Sequence, residues 1–371
     1  MNQKLRNCVL LIAMLLGVQR MTYAQFHTLK IPQASNFVKE TQTLGVTDIT
    51  ITYHSPAARG RDVWNNPNVI PQNGEPIAWR AGANMNTTIS FSTDVMIEGQ
   101  PLSAGTYGFH IIPREDKYEL LFAHASEQWG SYYLDVENDV TLKVEVSSEE
   151  APYSEKLDYE FMNWQENEVT IGLEWTERRI PFKVSVDLNE TVITSFRSEL
   201  RGLNTYRWEA WNDAARWCLN HDTNLEEALE WANRSINGGY NGFAANKNAS
   251  NLQTKAEILA KLDRKTELKQ TIQEAISMDM DPGQTNYFSI FLLKTGNYED
   301  AITLLNRTLK NHPDTWFLEL NKGIGYYFLD KKSIALKHLK QLKPKAPEYF
   351  AKRLGQIENE IQNGTYKLPG T

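Results

Sequence analysis

Three arginines that could bind an anion flank a long loop in the first half of the chain. Arg59 and Arg61 stand at the start of the loop, and Arg80 stands at its end between Trp79 and a later amide, Asn84. A guanidinium group presents a planar fork of N–H donors that matches a carboxylate or a phosphate. The same side chains could instead pair with acids of the protein itself, and we expect this second arrangement because structural arginine pairing is common.

Gly82 lies between two alanines where this loop enters a strand. A glycine at such a position indicates either a positive φ angle or a close approach of another backbone segment. Trp79 offers a large apolar face that could cover one end of a sheet structure. Arg80, if buried beside it, would need an acidic partner, so we expect Arg80 to matter more for folding than for a ligand.

Two aromatic residues of a later loop, Trp129 and Tyr132, could contribute to the same site. Such side chains can stack on a sugar or a peptide, or they can plug the end of a sandwich, and we expect the plug. The candidate ligand-binding residues are Arg59, Arg61, Trp79, Arg80, Asn84, His110 and Trp129.

Histidines on the predicted strands raise the question of a metal site, because three of them could ligate zinc. His54 shares a strand face with threonines, whereas His124 shares one with apolar residues, so the alternation does not bring them together with His110. The chain has no Gly-x-Ser-x-Gly elbow and no glycine-rich phosphate loop. We therefore predict no metal, no cofactor and no catalytic set.

Period-two alternation of apolar and polar residues dominates residues 25–187. It appears first in Ile49, Ile51 and Tyr53, and turn residues separate the runs. Nine short strands without a long helix between them predict an all-β antiparallel sandwich. The other eight predicted strands cover residues 87–92, 94–98, 106–112, 118–124, 140–146, 157–162, 169–175 and 180–186.

Residues 188–371 change to the period of helices, and a repeat appears within them. Its anchor residues are Ala228, Leu268, Ala301 and Ala335, which are 40, 33 and 34 residues apart. A helix–turn–helix period of 34 residues resembles tetratricopeptide repeats, and the longer first spacing reflects an inserted Gly/Asn-rich loop. An array of this kind buries apolar faces by stacking neighbouring pairs and leaves an extended surface for a protein or peptide partner.

The N-terminus has the pattern of a secretory signal peptide over residues 1–24. Lys4 and Arg6 precede an apolar run of 11 residues, and Ala24 is a small residue suited to cleavage before Gln25. Removal of this segment leaves 36 basic and 46 acidic residues, a net charge of −10. We expect an exported protein, periplasmic or secreted, that crosses no membrane after cleavage and binds no nucleic acid. Only Cys218 then remains, in an apolar helical pattern that predicts a buried, inert thiol.

Five blocks of the strand domain resemble one bacterial family in order and spacing. They are residues 53–61 (YHSPAARGR), 79–84 (WRAGAN), 97–107 (IEGQPLSAGTY), 112–113 (IP) and 128–132 (QWGSY). This resemblance is to the domain of unknown function 2911, often found in exported proteins, over roughly residues 26–186. The family usually has an acid after the Gly-Ala-Asn, where this chain has Met85. The resemblance implies a fold and a compartment, and it implies no reaction.

Two functions are compatible with these features. The first is an exported binding or scaffold protein, with a small anionic or saccharide ligand at the loop end of the sandwich and a protein partner on the repeats. The alternative is a hydrolase of envelope or carbohydrate material at the same loop end, which for glycoside chemistry would need two carboxylates at a fixed separation. We expect the binding protein, because no catalytic constellation is visible.

Overall fold

A computed structural model describes residues 32–71, 77–114 and 117–369. The expected signal peptide lies outside these residues. The chain divides into two compact units between Val186 and Asp187. The first is all-β and the second is all-α, so the predicted fold class is confirmed.

The β unit contains two antiparallel sheets. The six-stranded sheet has the order β1-β2-β3-β6-β7-β8, and the four-stranded sheet has the order β5-β4-β10-β9. The strands are β1 Asn36–Leu44, β2 Thr47–Ser55, β3 Thr87–Phe91, β4 Val95–Ile97, β5 Gln100–Leu102, β6 Gly105–Pro113, β7 Tyr118–Ala123, β8 Val140–Val146, β9 Glu149–Met162 and β10 Glu168–Ser185.

The two sheets pack face to face over one apolar core. In β2 every second residue is buried, as its alternating sequence predicts. Phe109 of the large sheet and Phe182 of the small one meet with ring centroids 5.5 Å apart. The long connection from β2 to β3 also contributes to this core, because Val63, Trp64 and Ile70 are buried in it.

The described residues contain ten strands, one more than the nine that the alternation predicts. β1 was missed because it is an edge strand with a mostly polar sequence and little burial. β5 was missed because it has only three residues. The predicted strands 169–175 and 180–186 form the single strand β10, whose register shifts around Thr176, a residue with a φ of 53°. β9 begins at Glu149 rather than at Leu157 because its first residues are exposed and polar.

The outer face of the large sheet is covered where β6 and β7 pair. Ile112 and Leu121 point away from the main core and pack with Ala78 and with Leu134 of the loop that follows β7. The middle of β6 is consequently buried on both faces. This cover explains how a histidine on β6 comes to be fully buried.

The helical unit consists of ten α-helices and two short 3-10 turns, Leu203–Tyr206 and Tyr240–Gly242, within the described residues. Asp187 caps the first helix, because its side chain accepts a hydrogen bond from the backbone N–H of Glu190. The helices are α1 Leu188–Glu199, α2 Trp208–Asn220, α3 Leu225–Asn237, α4 Ala249–Lys261, α5 Lys265–Ile276, α6 Pro282–Lys294, α7 Tyr298–Asn311, α8 Trp316–Phe328, α9 Lys332–Leu342 and α10 Glu348–Asn363.

Helices α2 to α9 form four consecutive helix–turn–helix pairs, and the first helices of neighbouring pairs also pack on each other. The four repeat anchors each occupy the fourth position of a second helix, in α3, α5, α7 and α9. The three alanines among them are fully buried, because a small residue lets the helices approach closely. The repeat predicted from the 34-residue period is therefore confirmed.

Cys218 lies in α2 and is buried in the core of the first pairs. Burial raises the pKa of its thiol to about 11, so the thiolate is scarce at neutral pH. The expectation of a buried thiol is confirmed, and its inertness stays a prediction. No helix in the described part of the chain has the length and apolar character needed to cross a membrane.

Candidate functional site

A pocket of about 420 Å³ opens at the end of the sandwich where β2 ends and β1 begins. Its lining comes from the segment of Arg59 and Arg61, from the Gly-Ala-Asn turn and from the loop after β7. Six of the seven predicted candidates line it: Arg59, Arg61, Trp79, Arg80, Asn84 and Trp129. The other lining residues are Ala34, Ser35, Pro56, Ala57, Asn68, Val69, Gly82, Ala83 and Trp175.

The indole groups of Trp79 and Trp175 belong to both the pocket and the sandwich core. They stack with ring centroids 6.2 Å apart and planes 10° apart. Trp79 is only 3% exposed, and its backbone exchanges two hydrogen bonds of 2.8 Å with Ile111. The expectation that Trp79 covers the end of the sandwich is confirmed. Trp175 is buried as well, and its Nε1 donor has no hydrogen-bond partner among the described residues.

The two arginines of the first pair are both exposed at the pocket. Arg61 is oriented by the backbone, because its Nε donates to the carbonyl of Ala58 at 2.9 Å and its Nη2 to that of Ala57 at 2.7 Å. The Glu155 carboxylate is nearby, where it accepts hydrogen bonds from the backbone N–H of Arg59 and from the Tyr153 hydroxyl. These bonds, that of Tyr153 first, lower the pKa of Glu155.

Arg80 is half-buried and held by three contacts. Its Nη1 donates to the carbonyl oxygen of Asn84 at 2.5 Å, and its guanidinium lies 5.7 Å from the ring centre of Tyr132. The third contact is the backbone of Gly130, where a Cβ atom would stand 2.9 Å from Arg80 Cζ. Nε and Nη2 of Arg80 form no hydrogen bond with a described residue, so one edge of the fork remains available.

None of the three arginines forms an ion pair within 4.0 Å among the described residues. The expected pairing with the protein's own acids is therefore absent as direct ion pairs, although the charges of Arg59 and Arg61 also help to lower the pKa of Glu155, after the hydrogen bonds from Tyr153 and from the Arg59 backbone. The domain has many acids, but Arg61 and Arg80 turn toward backbone carbonyls, and Glu155 is held by a backbone amide and a hydroxyl. No Asp or Glu is among the described residues that line the pocket.

The backbone between Arg80 and β3 is strained beside the pocket. Ala81 has a φ of 49° and Asn84 a φ of 59°, a left-handed conformation that is costly for alanine. Two hydroxyl groups, those of Thr87 and Tyr159, donate to the carbonyl oxygen of Ala81 and help to hold this conformation. Strain of this kind persists only where the surroundings over-determine it.

Gly82 is required by a close approach rather than by its own φ angle. A Cβ atom there would stand 2.8 Å from Thr87 Oγ1 and 3.2 Å from the carbonyl oxygen of His54. The second of the two expectations for this glycine is thus confirmed, while the positive φ angles fall on its neighbours Ala81 and Asn84.

His110 is the one predicted candidate that does not line the pocket. It is fully buried under the loop after β7, where its Nδ1 hydrogen-bonds Ser131 Oγ at 2.8 Å. Burial first, and the nearby Arg80 charge second, lower the pKa of His110 to about 4, so the ring is neutral at pH 7. Its Nε2 has no partner among the described residues, as is also true of the side-chain nitrogens of Asn86 and Gln128.

The other two histidines lie apart from this group. His54 packs edge-on against Phe37, with ring centroids 5.4 Å apart, and burial lowers its pKa. His124 lies 3.8 Å from a carboxylate oxygen of Asp139. In the described residues no three His, Cys, Asp or Glu side chains form a group that could hold a metal ion.

The aromatic loop after β7 is exposed, so the expectation that it plugs the sandwich is wrong. Trp129 is 54% exposed and Tyr132 is 75% exposed. Trp79 and Trp175 of the core already fill the end of the sandwich. Trp129 is left exposed where it lines the pocket, and Tyr132 is left exposed beside Arg80. Sequence reasoning missed Trp175, Ser35 and Asn68 as lining residues. Trp175 looks like any core residue of an alternating strand, and no local signal distinguishes the other two.

Comparison with known proteins gives a family match within the β unit and a distant similarity to one solved structure. Residues 35–184 match the model of a family described as "Protein of unknown function (DUF2911)", which confirms the resemblance seen in the sequence blocks. Among solved structures, the chain is similar to "YrrB: a TPR protein with an unusual peptide-binding site". That similarity has 15% identity and a TM-score of 0.33 and covers 45% of this chain and 82% of the other, too distant to indicate what this chain binds. No curated protein matches the chain.

Proposed function

We propose that this protein is an exported binding protein whose sandwich takes a small anionic ligand in the end pocket. One observation carries the proposal: Arg59, Arg61 and Arg80 all line one pocket, and its described lining residues include no Asp or Glu. Unpaired arginine forks are the groups that proteins use to bind carboxylates and phosphates.

The construction of the pocket supports the same function. Its volume falls in the range of small-molecule sites, and its floor is rigid because it is part of the stacked tryptophan core. Arg61 and Arg80 are oriented by backbone carbonyls, which leaves N–H donors free while limiting the motion of each fork. A ligand would therefore meet a site that is already ordered, which reduces the entropy lost on binding.

The helical repeats support a second part of the proposal, a protein partner. Stacked helix pairs present an extended surface. Eight Lys/Arg side chains cluster in residues 331–353, from the start of α9 into α10. Lys343, Lys345 and Arg353 are ion-paired with Glu358, Asp314 and Glu360. The five other lysines of residues 331–353 form no ion pair with a described residue: Lys331, Lys332, Lys337, Lys340 and Lys352.

Export is part of this proposal on the strength of the sequence alone. The charged start, short apolar run and small residue at position 24 have the organisation of a cleaved signal. The absence of a cysteine pair after cleavage is consistent with a domain held together by its core rather than by disulfides. The hydrolase alternative gains no support, because glycoside hydrolysis needs paired carboxylates and none lines the described pocket.

Isothermal titration of the full chain with acetate, phosphate, benzoate and D-galacturonate at low ionic strength tests the anion site. We expect at least one of these anions to bind and Arg59→Gln and Arg80→Gln to weaken it about tenfold or more. Arg114→Gln is the matched control, because Arg114 is exposed and pairs with Glu119 outside the pocket. Absence of binding by all four anions, or equal binding by wild type and both pocket variants, would overturn the proposal.

A further inference from the structure

We infer that the ligand of this pocket is a sugar ring that carries a carboxylate, an inference that rests on the proposed anion site and names its ligand class. Two features of the pocket lie side by side: a set of arginine forks and an exposed aromatic wall. Trp129 lines the pocket while 54% of its surface remains open, and Tyr132 stands next to Arg80.

The arrangement of the arginine side chains favours a carboxylate as the charged group of the ligand. The free edge of Arg80, formed by Nε and Nη2, is a planar pair of donors that a carboxylate can accept in bidentate fashion. Arg61 keeps its Nη1 free while its other donors bind the carbonyls of Ala57 and Ala58.

The exposed aromatic side chain of Trp129 favours a sugar ring as the body of the ligand. A pyranose has an apolar C–H face that can lie on an indole and a rim of hydroxyl groups that need polar partners. The pocket supplies such partners through Ser35, Asn68 and Asn84. A flat apolar face together with polar side chains around it is the combination that a sugar requires and that a compact anion does not use.

Two simpler occupants fit less well. Acetate or inorganic phosphate would satisfy the arginines but would leave Trp129 with nothing to cover it. An aromatic acid such as benzoate would favour a deep apolar slot, whereas the aromatic rings at the entrance are largely exposed and their polar neighbours would be left without partners. Contact with the exposed Trp129 ring is therefore the interaction by which a sugar acid should differ from these simpler ligands.

Titration of the full chain with D-galacturonate, tri-galacturonate, D-galactose and acetate tests the inference. We expect D-galacturonate to bind at least tenfold more tightly than either acetate or D-galactose. Trp129→Ala should weaken D-galacturonate binding about tenfold while leaving acetate binding unchanged, and Trp129→Phe should retain most of the affinity. A gain in affinity from the monomer to the trimer would identify a polymer as the source, and equal affinity would identify the free sugar acid.

Trp164→Ala provides the matched control, because Trp164 is 45% exposed but stacks on Phe161 outside the pocket lining. If acetate or phosphate binds with Arg80 dependence but D-galacturonate binds no tighter, the anion site stands and the sugar inference is rejected. If benzoate binds more tightly than D-galacturonate, the inference is also rejected. If no anion binds at all, the proposed function itself fails.

Discussion

The guanidinium group of Arg80 lies against the backbone of Gly130, so close that a Cβ atom on the glycine would stand 2.9 Å from Arg80 Cζ. Gly130 has a φ of 67°, which also favours glycine. Because Gly130 has no side chain, it leaves room for the guanidinium group of Arg80. Its positive φ angle also fits the turn in the loop that carries Trp129. This relationship leads to the first prediction.

Gly130→Ala should displace Arg80 and weaken anion binding about tenfold or more. The left-handed φ alone should lower the free energy of unfolding by about 1–2 kcal/mol. Titration with the anion that binds wild type best, together with a thermal melt, measures both effects. Gly99→Ala is the control, because Gly99 has a φ of 77° with nothing within 4 Å of the added Cβ. An equal loss of binding in both variants would contradict a specific role for Gly130.

Arg80→Gln should leave stability nearly unchanged, by about 1 kcal/mol or less, because no buried acid is left without a partner. This reverses the expectation drawn from the sequence, which assumed an ion-paired arginine. Arg179→Gln should be more destabilising, since Arg179 is half-buried and forms ion pairs with both Glu149 and Glu174. Urea unfolding of the two variants compares them. A larger loss for Arg80→Gln than for Arg179→Gln would show that Arg80 is mainly structural.

Gly82→Ala should destabilise the sandwich by about 1–3 kcal/mol, because its Cβ would overlap the Thr87 hydroxyl and crowd the carbonyl of His54. Gly355→Ala gives a control of opposite sign. Gly355 lies at an exposed position inside α10 with no atom near the added Cβ, so alanine there should stabilise by about 0.5–1 kcal/mol. Equilibrium unfolding measures both, and a neutral Gly82→Ala would contradict the close approach.

Stability should fall between about pH 6.5 and pH 4 because of His110. Its pKa is about 4 in the folded protein and near 6.5 when unfolded, so the unfolded chain takes up a proton first as the pH falls. The neutral ring stabilises the fold above pH 6.5, by an amount on the order of 3 kcal/mol that is lost by pH 4. Burial lowers the pKa of His54 and His338 as well, so the difference between variant and wild type is what matters.

His110→Gln should remove this part of the pH dependence, measured as unfolding free energy at several pH values from 7 to 4. His124→Gln, at an exposed histidine, is the control variant. Identical slopes for His110→Gln and wild type would mean that His110 is not buried in its neutral form.

The mature protein should begin near Gln25 and be found outside the cytoplasm of its native host. Intact-mass measurement of the natural protein checks this expectation, and replacement of Ala24 by arginine should block cleavage because the enzyme needs a small residue there. A natural product that retains Met1 would contradict export.

Much of the architecture follows from local patterns in the sequence. The alternation of Ile49, Ile51 and Tyr53 identifies a strand with one buried face, and the spacing of Ala228, Ala301 and Ala335 identifies the second helices of the repeats. Such patterns are visible because one face of an element must be apolar to reach a core. Where that requirement is weak, as in the polar edge strand β1, the sequence carries little signal.

Six of the seven candidate residues chosen from the sequence line the pocket, since arginines, tryptophans and a Gly-Ala-Asn turn stand out by type. It could not determine whether Arg59, Arg61 and Arg80 pair with acids, or whether Trp129 is buried. Those outcomes depend on which loops meet at the end of the sandwich. Only the tertiary structure decides this. It places Arg61 and Arg80 against backbone carbonyls rather than acids, and it fills the core with Trp79 and Trp175. Trp129 consequently stays exposed, and the arginines form no direct ion pair with a described residue.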